Sequence, residues 1–245
     1  MTTRAVLTGV SAASIIVLCG VARADVVDLS TTTNGSLNGA LFERADFRSA
    51  GSGVINPFVR ISSNDTTEQG YNTSGRPVPF DENNSPVFTH DLALSGLTTR
   101  TVNGTDYYEF LLDTNQTAAN PMLSLDQLQI YTSNTFGQTT SNVTSLGTLR
   151  YDMDAGGDNW VIINSNLGAG SGEGDMRLLV PVSDFAGATS NQAVYVFSRF
   201  GDQAANNDGF EEWGIQGAGT AVPLPAAGTM GLAGLAGLAL RRRRR

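Results

Sequence analysis

Between residues 25 and 216 no apolar pattern of helical period runs far enough to build a helix-based core. A helix packed on a core repeats its apolar residues at i, i+3, i+4 and i+7 over several turns. Here short β-rich runs are separated by clusters of Gly, Ser, Thr and Asn, in a chain with 28 glycines. The runs predict strands over 54–61, 87–94, 107–112, 125–131, 148–153, 160–163, 176–181 and 193–200. In the last of these Tyr195, Phe197 and Arg199 alternate with Val194, Val196 and Ser198, as in a strand with two unlike faces. About eight strands at this spacing predict an all-β fold, a single β-sandwich of jelly-roll-like type. Segment 62–86 carries Pro77, Pro79 and Pro86 and reads as a long surface loop, and a short helix is expected over 183–186 with Ser183 as its N-cap. There is no internal repeat.

Both ends of the chain read as addresses. Arg4 gives a positive start, residues 5–21 are apolar, and Ala22-Arg23-Ala24 forms an A-x-A cleavage site, so residues 1–24 are expected to be a signal peptide and Asp25 the first mature residue. The chain's one cysteine, Cys19, lies inside this leader. The mature body therefore forms no disulfide, and its stability rests on packing, bound ions or partners. At the other end, residues 217–221 form a linker to Val222, Pro223, Leu224, Pro225 and Ala226. An uncharged Gly/Ala/Leu stretch follows to Leu240, and Arg241, Arg242, Arg243, Arg244 and Arg245 close the chain. The 15 residues from Ala226 to Leu240 are short of the ~20 that span a bilayer comfortably, but local thinning and snorkelling arginines allow a short span to insert. The arginine block fixes it as the cytoplasmic end.

The tail over 222–245 resembles the PEP-CTERM class of bacterial sorting signals in its VPLPA variant, with Leu224 where the more common motif has Glu. The resemblance implies recognition by an exosortase, a membrane-embedded cysteine transpeptidase that cuts near the motif, in Gram-negative bacteria that make extracellular polysaccharide. It also implies secretion machinery and transient inner-membrane anchoring, then delivery to the cell surface or extracellular matrix. Over about 107–215 the order of acidic and aromatic pieces resembles a group of exported PEP-CTERM proteins, and that likeness implies sorting rather than a mechanism.

Between the two addresses eight arginines face 23 acidic residues, a formal charge of −15, and the chain has no lysine. That balance excludes nucleic-acid binding, which needs a basic face, and suits divalent cations. Without lysine there is no P-loop lysine and no Schiff base, and without a mature cysteine there is no thiol chemistry. His90 is the only histidine, which rules out a histidine-rich metal site, and no G-x-S-x-G elbow accompanies any serine. Carboxylate-pair glycoside hydrolysis survives on composition, with Glu109, Asp152, Glu211 and Glu212 as the acids to consider. No catalytic residue is assigned, and no enzymatic activity is expected.

The run Asp152-Met153-Asp154-Ala155-Gly156-Gly157-Asp158 is the candidate metal site, because carboxylates at alternate positions before a glycine turn can converge on one hard cation. It resembles the start of an EF-hand loop and then departs, with Gly156 at the fifth position and Ile163 at the twelfth. Asp152, Asp154 and Asp158 are thus candidate Ca2+ ligands outside the EF-hand pattern. The competing reading is a tight acidic hairpin between the strands at 148–153 and 160–163. Acidic residues also occur at 172–175, at 208–213 and around Asp113 and Asp126. Trp160 and Trp213 are either core residues or platforms for a sugar ring. The leading expectation is an exported structural protein of the cell surface or matrix. The alternatives are a calcium-assisted module that binds extracellular polysaccharide and, third, a polysaccharide hydrolase.

Overall fold

The computed structural model describes residues 23–45, 55–167 and 174–216. Their strands are β1 (Val26–Asp28), β2 (Asn34–Leu37), β3 (Ala40–Arg44), β4 (Ile55–Ile61), β5 (Glu68–Tyr71), β6 (Leu92–Ala93) and β7 (Thr99–Val102). They continue with β8 (Thr105–Asp113), β9 (Met122–Ser133), β10 (Thr148–Asp152), β11 (Trp160–Asn164), β12 (Met176–Pro181), β13 (Ala193–Phe200) and β14 (Glu211–Gln216). They form two seven-stranded sheets. The first runs β1-β11-β9-β13-β5, with β10 on β9 and β6 on β13; the second runs β2-β3-β12-β8-β14-β4, with β7 on β8. Among the described residues, β1 and β11 are the one parallel pair. The all-β sandwich expected from the sequence is present.

The strand pattern explains why two sheets form. On β9 the residues Leu123, Leu125, Leu128 and Ile130 are fully buried, and on β13 so are Val194, Val196 and Phe200. The second sheet answers with Phe42, Val59, Phe110, Leu112, Leu178 and Trp213, all in the same core cluster. Phe58 and Phe110 meet edge to face, centroids 6.4 Å apart. Removing this many large side chains from water is the main driving term of the fold.

A second cluster lies on the outer face of the first sheet and was not foreseen. Tyr71, Tyr131, Leu146, Ala193, Tyr195 and Phe197 are buried there, with Phe80 and Val143 against them. Two loops cover it. The Tyr71 hydroxyl donates to the Thr140 carbonyl at 2.9 Å, and the Thr73 hydroxyl to the Gln138 carbonyl at 2.6 Å. Residues Ala193–Ser198 are therefore buried on both faces: the two unlike faces expected from the alternation are both covered.

Other expectations change as well. Segment 62–86 is not only loop: it contains β5, whose Tyr71 is fully buried, and the partly buried run to Glu82. The Asn72 side chain extends that strand by bonding the Val194 carbonyl and the Val196 amide. The strand expected over 87–94 shrinks to Leu92–Ala93, because Phe88 and Thr89 turn back on the Ser85 carbonyl. The expected helix is a 3-10 turn over Val182–Phe185, preceded by Pro181, and Ser183 does not cap it. No helix among the described residues is long and apolar enough to cross a membrane. The apolar segments at 5–21 and 227–240 lie outside the described residues.

Candidate functional site

The acidic run is not a hairpin. β13 occupies one edge of β9, so β10 and β11 share the other, with Asp152 opposite Gln129 and Val161 opposite Leu125. The two strands lie end to end, and residues 153–159 leave and rejoin the same edge. This interruption is why the loop carries turn chemistry in the middle of a sheet. Each carboxylate near its base is used locally. Asp152 Oδ1 accepts from the Asp154 amide at 3.0 Å and its Oδ2 from Gln129 Nε2 at 3.2 Å. Asp154 Oδ1 accepts from the Asn159 amide at 2.9 Å. Burial pushes the Asp154 carboxyl up to about 6, with Asp152, Asp158 and Asp126 adding to the rise and the Asn159 bond opposing it. Asp158 is exposed. Asp152, Asp154 and Asp158 thus share one loop. Among the described residues, however, no three or more His, Cys, Asp or Glu side chains are grouped to hold a metal ion.

The buried Asn159 ties this loop to Asp25, the residue expected to open the mature chain. Its Nδ2 donates to the Met153 carbonyl at 2.6 Å, and its Oδ1 accepts from the Asp25 amide at 2.8 Å. Ala24 and Asp25 of the expected cleavage site are described, and Ala22 is not. The motif from Val222 to Ala226 and the block from Arg241 to Arg245 also lie outside the described residues.

The two tryptophans part company. Trp213 is fully buried between the sheets, and its Nε1 donates to the Ser198 hydroxyl at 3.0 Å. It is a core residue, and the sugar-platform reading is withdrawn for it: no ring face is left for a ligand. Trp160 opens β11 directly after the acidic loop and is half-buried. It stands in register with Val26, itself 46% exposed. Val161 and Val27 face the core, so alternation puts Trp160 and Val26 on the outer face.

The acids considered for hydrolysis are dispersed. Glu109 is held by Arg177, with Arg100 3.8 Å away, and Arg177 also reaches Glu43. Glu212 pairs with Arg60 at 2.7 Å, and that guanidinium lies over the rings of Phe88 and Phe210. Glu211, its neighbour on β14, points to the opposite face and is fully buried, while Asp152 belongs to the other sheet. At the end of β8 the Thr114 amide and hydroxyl both donate to Asp175 Oδ2, at 2.8 and 2.6 Å. Burial carries Asp175 up to about 7 against those two bonds, with the charge of Asp113 adding to the rise. Two buried residues that composition did not single out, Glu68 and Asn206, join Gln116 and Glu211 in one hydrogen-bonded network. Ser63 and Asn206 lie 143 positions apart in the sequence, so no local motif marks it.

Comparison with family models, with curated proteins and with solved structures gave no match.

Proposed function

We propose that the chain is an exported, non-catalytic structural protein of the cell surface or extracellular matrix, sorted through a VPLPA-type tail and built as a jelly-roll-like sandwich. One observation carries the reading. The first strand starts at Val26, just after Ala22-Arg23-Ala24, and the last ends at Gln216, before Val222. Cleavage of both addresses would leave every strand of the described residues intact. The −15 charge of the body suits a soluble exported domain. In an exosortase-bearing host, a tagged wild-type chain should reach the surface or medium. Pro223→Ala with Pro225→Ala should hold it in the inner membrane. Equal release of both would sink the sorting role.

A second reading has one observation in its favour. The half-exposed Trp160 follows the Asp152–Asp158 loop on an outer sheet face, as a calcium-assisted polysaccharide-binding module would need. Retention of the purified protein on the host polysaccharide, lost with Trp160→Ala or with chelator, is the outcome that would put this reading first.

A further inference from the structure

The sequence holds three Asn-Gly pairs, at 34–35, 38–39 and 103–104. Glycine has no side chain to shield its nitrogen, so the side-chain carbonyl of a preceding asparagine can be attacked by it. The structure separates the three pairs.

Asn38 and Asn103 occupy the same kind of turn, with φ of 47° and 50°, each followed by a glycine of positive φ. In that left-handed conformation the asparagine Cβ stands on the far side of the Cα–C bond from the next nitrogen, so the turn has to open before the two can meet. What differs is what holds each turn shut. At the β2–β3 tip, Asn38 Nδ2 donates to the Met153 carbonyl at 2.6 Å and to the Asp152 carbonyl at 3.2 Å. Both of its amide protons are thereby used. Leu37 and Ala40 flank that tip and belong to the core, and the Tyr151 hydroxyl donates to the Leu37 carbonyl at 3.0 Å. Asn34 lies within β2, where Gly35 pairs with Phe42 and Val27 packs against it, so close that an added Cβ would lie 2.6 Å from Val27 Cγ2. The β7–β8 tip has no such anchor. Among the described residues nothing bonds the Asn103 side chain, and β7 pairs with β8 alone. Residues 99–101 and 103–106 are exposed. One side-chain bond crosses this tip, from the exposed Thr101 hydroxyl to Asp106 Oδ1 at 2.6 Å. A two-stranded ribbon whose bonds face water opens locally at small cost.

We propose that Asn103 is a modification site, the asparagine at which the folded protein loses a side-chain amide to water. Base takes the proton of the Gly104 nitrogen, which attacks the Asn103 side-chain carbonyl carbon. The bond from that carbon to its amide nitrogen breaks, ammonia leaves with a proton from water, and a five-membered succinimide remains. Water then opens the ring at either carbonyl, giving aspartate, or isoaspartate with the main chain rerouted through Cβ. The sum is one water in and one ammonia out, with no oxidant or reductant. Isoaspartate adds an atom to the main chain where β7 turns into β8, and both products place a negative charge there. Each conversion therefore weakens the closed end of this hairpin, and conversion accumulates with the age of the molecule. The inference does not depend on the sorting assignment.

The test is peptide mapping by mass spectrometry of the full-length protein kept in mildly alkaline buffer, once folded and once in concentrated urea. In urea the three pairs should convert at rates within about threefold of one another, because anchoring is gone. In the folded protein Asn103 should convert at least about tenfold faster than Asn38 or Asn34. Asn103→Gln disfavours the five-membered ring and should remove the early mass gain of the folded protein. Equal rates in the folded protein, earlier conversion of Asn38 or Asn34, or an early gain that survives Asn103→Gln would each overturn the site. So would an Asn103 that converts in urea and stays intact when folded.

Discussion

Single side chains carry much of this fold, and Trp213 is the clearest. It fills the space between the sheets and spends its one polar atom on Ser198. Trp213→Ala should cost about 3–5 kcal/mol in urea unfolding through the cavity it leaves. A loss under 1 kcal/mol would mean that the core closes without it. Asp175 is one of several buried carboxyls, with Glu68 and Asp154, that shape the pH response. Its folded pKa of about 7 stands well above the ordinary carboxylate value, so the fold holds a proton that the unfolded chain has released. Its contribution is therefore greatest at low pH and is lost as pH rises from about 4 through 7. Asp175→Asn keeps an acceptor for Thr114 and removes that ionisation. The variant should match wild type near pH 4 and exceed it by about 2–4 kcal/mol at pH 8. Parallel stability curves across that range would contradict the assignment.

At the scale of elements, turn chemistry decides what the β-rich runs leave open. Asn38-Gly39 joins β2 to β3 and Asn103-Gly104 joins β7 to β8, with φ of 47 and 88° in the first pair and 50 and 83° in the second. Both are turns with two left-handed residues, matched to the twist of a hairpin. These Asn-Gly pairs are a local hairpin signal that the strand reading of the sequence did not use. The strand pattern alone misses them because Asn34–Leu37 and Thr99–Val102 are mostly polar, edge-like segments. By contrast, Met176–Pro181 and Ala193–Phe200 match their expected bounds because both are dense apolar runs. Glycines at turns then separate by surroundings. A Cβ on Gly104 would meet nothing within 4 Å, whereas one on Gly201 would lie 2.1 Å from the Thr66 carbonyl oxygen. Gly104→Ala should cost about 1 kcal/mol from φ alone. Gly201→Ala should cost about 3 kcal/mol, because backbone must move. Thermal denaturation of the two variants checks the ranking, and equal losses would contradict it.

For the whole molecule, the proposed function is read only where it is written linearly. The proposed leader and sorting tail are contiguous strings, so a sequence can suggest them without a fold. The interior is the opposite case. The acidic loop was visible as a run, but its position in the middle of a sheet edge depends on β9 pairing with both flanking strands. The network of Glu68, Gln116, Asn206 and Glu211 arises only when three distant loops are brought to one end. The central claim is that a self-contained sandwich travels between two removable addresses. Mass spectrometry of both termini, on protein recovered from the surface or medium of an exosortase-bearing host, tests it most directly. The account predicts an N-terminus at Asp25 and a C-terminus at or near 222–226. A chain that keeps residues 1–24 and ends at Arg245 would contradict it.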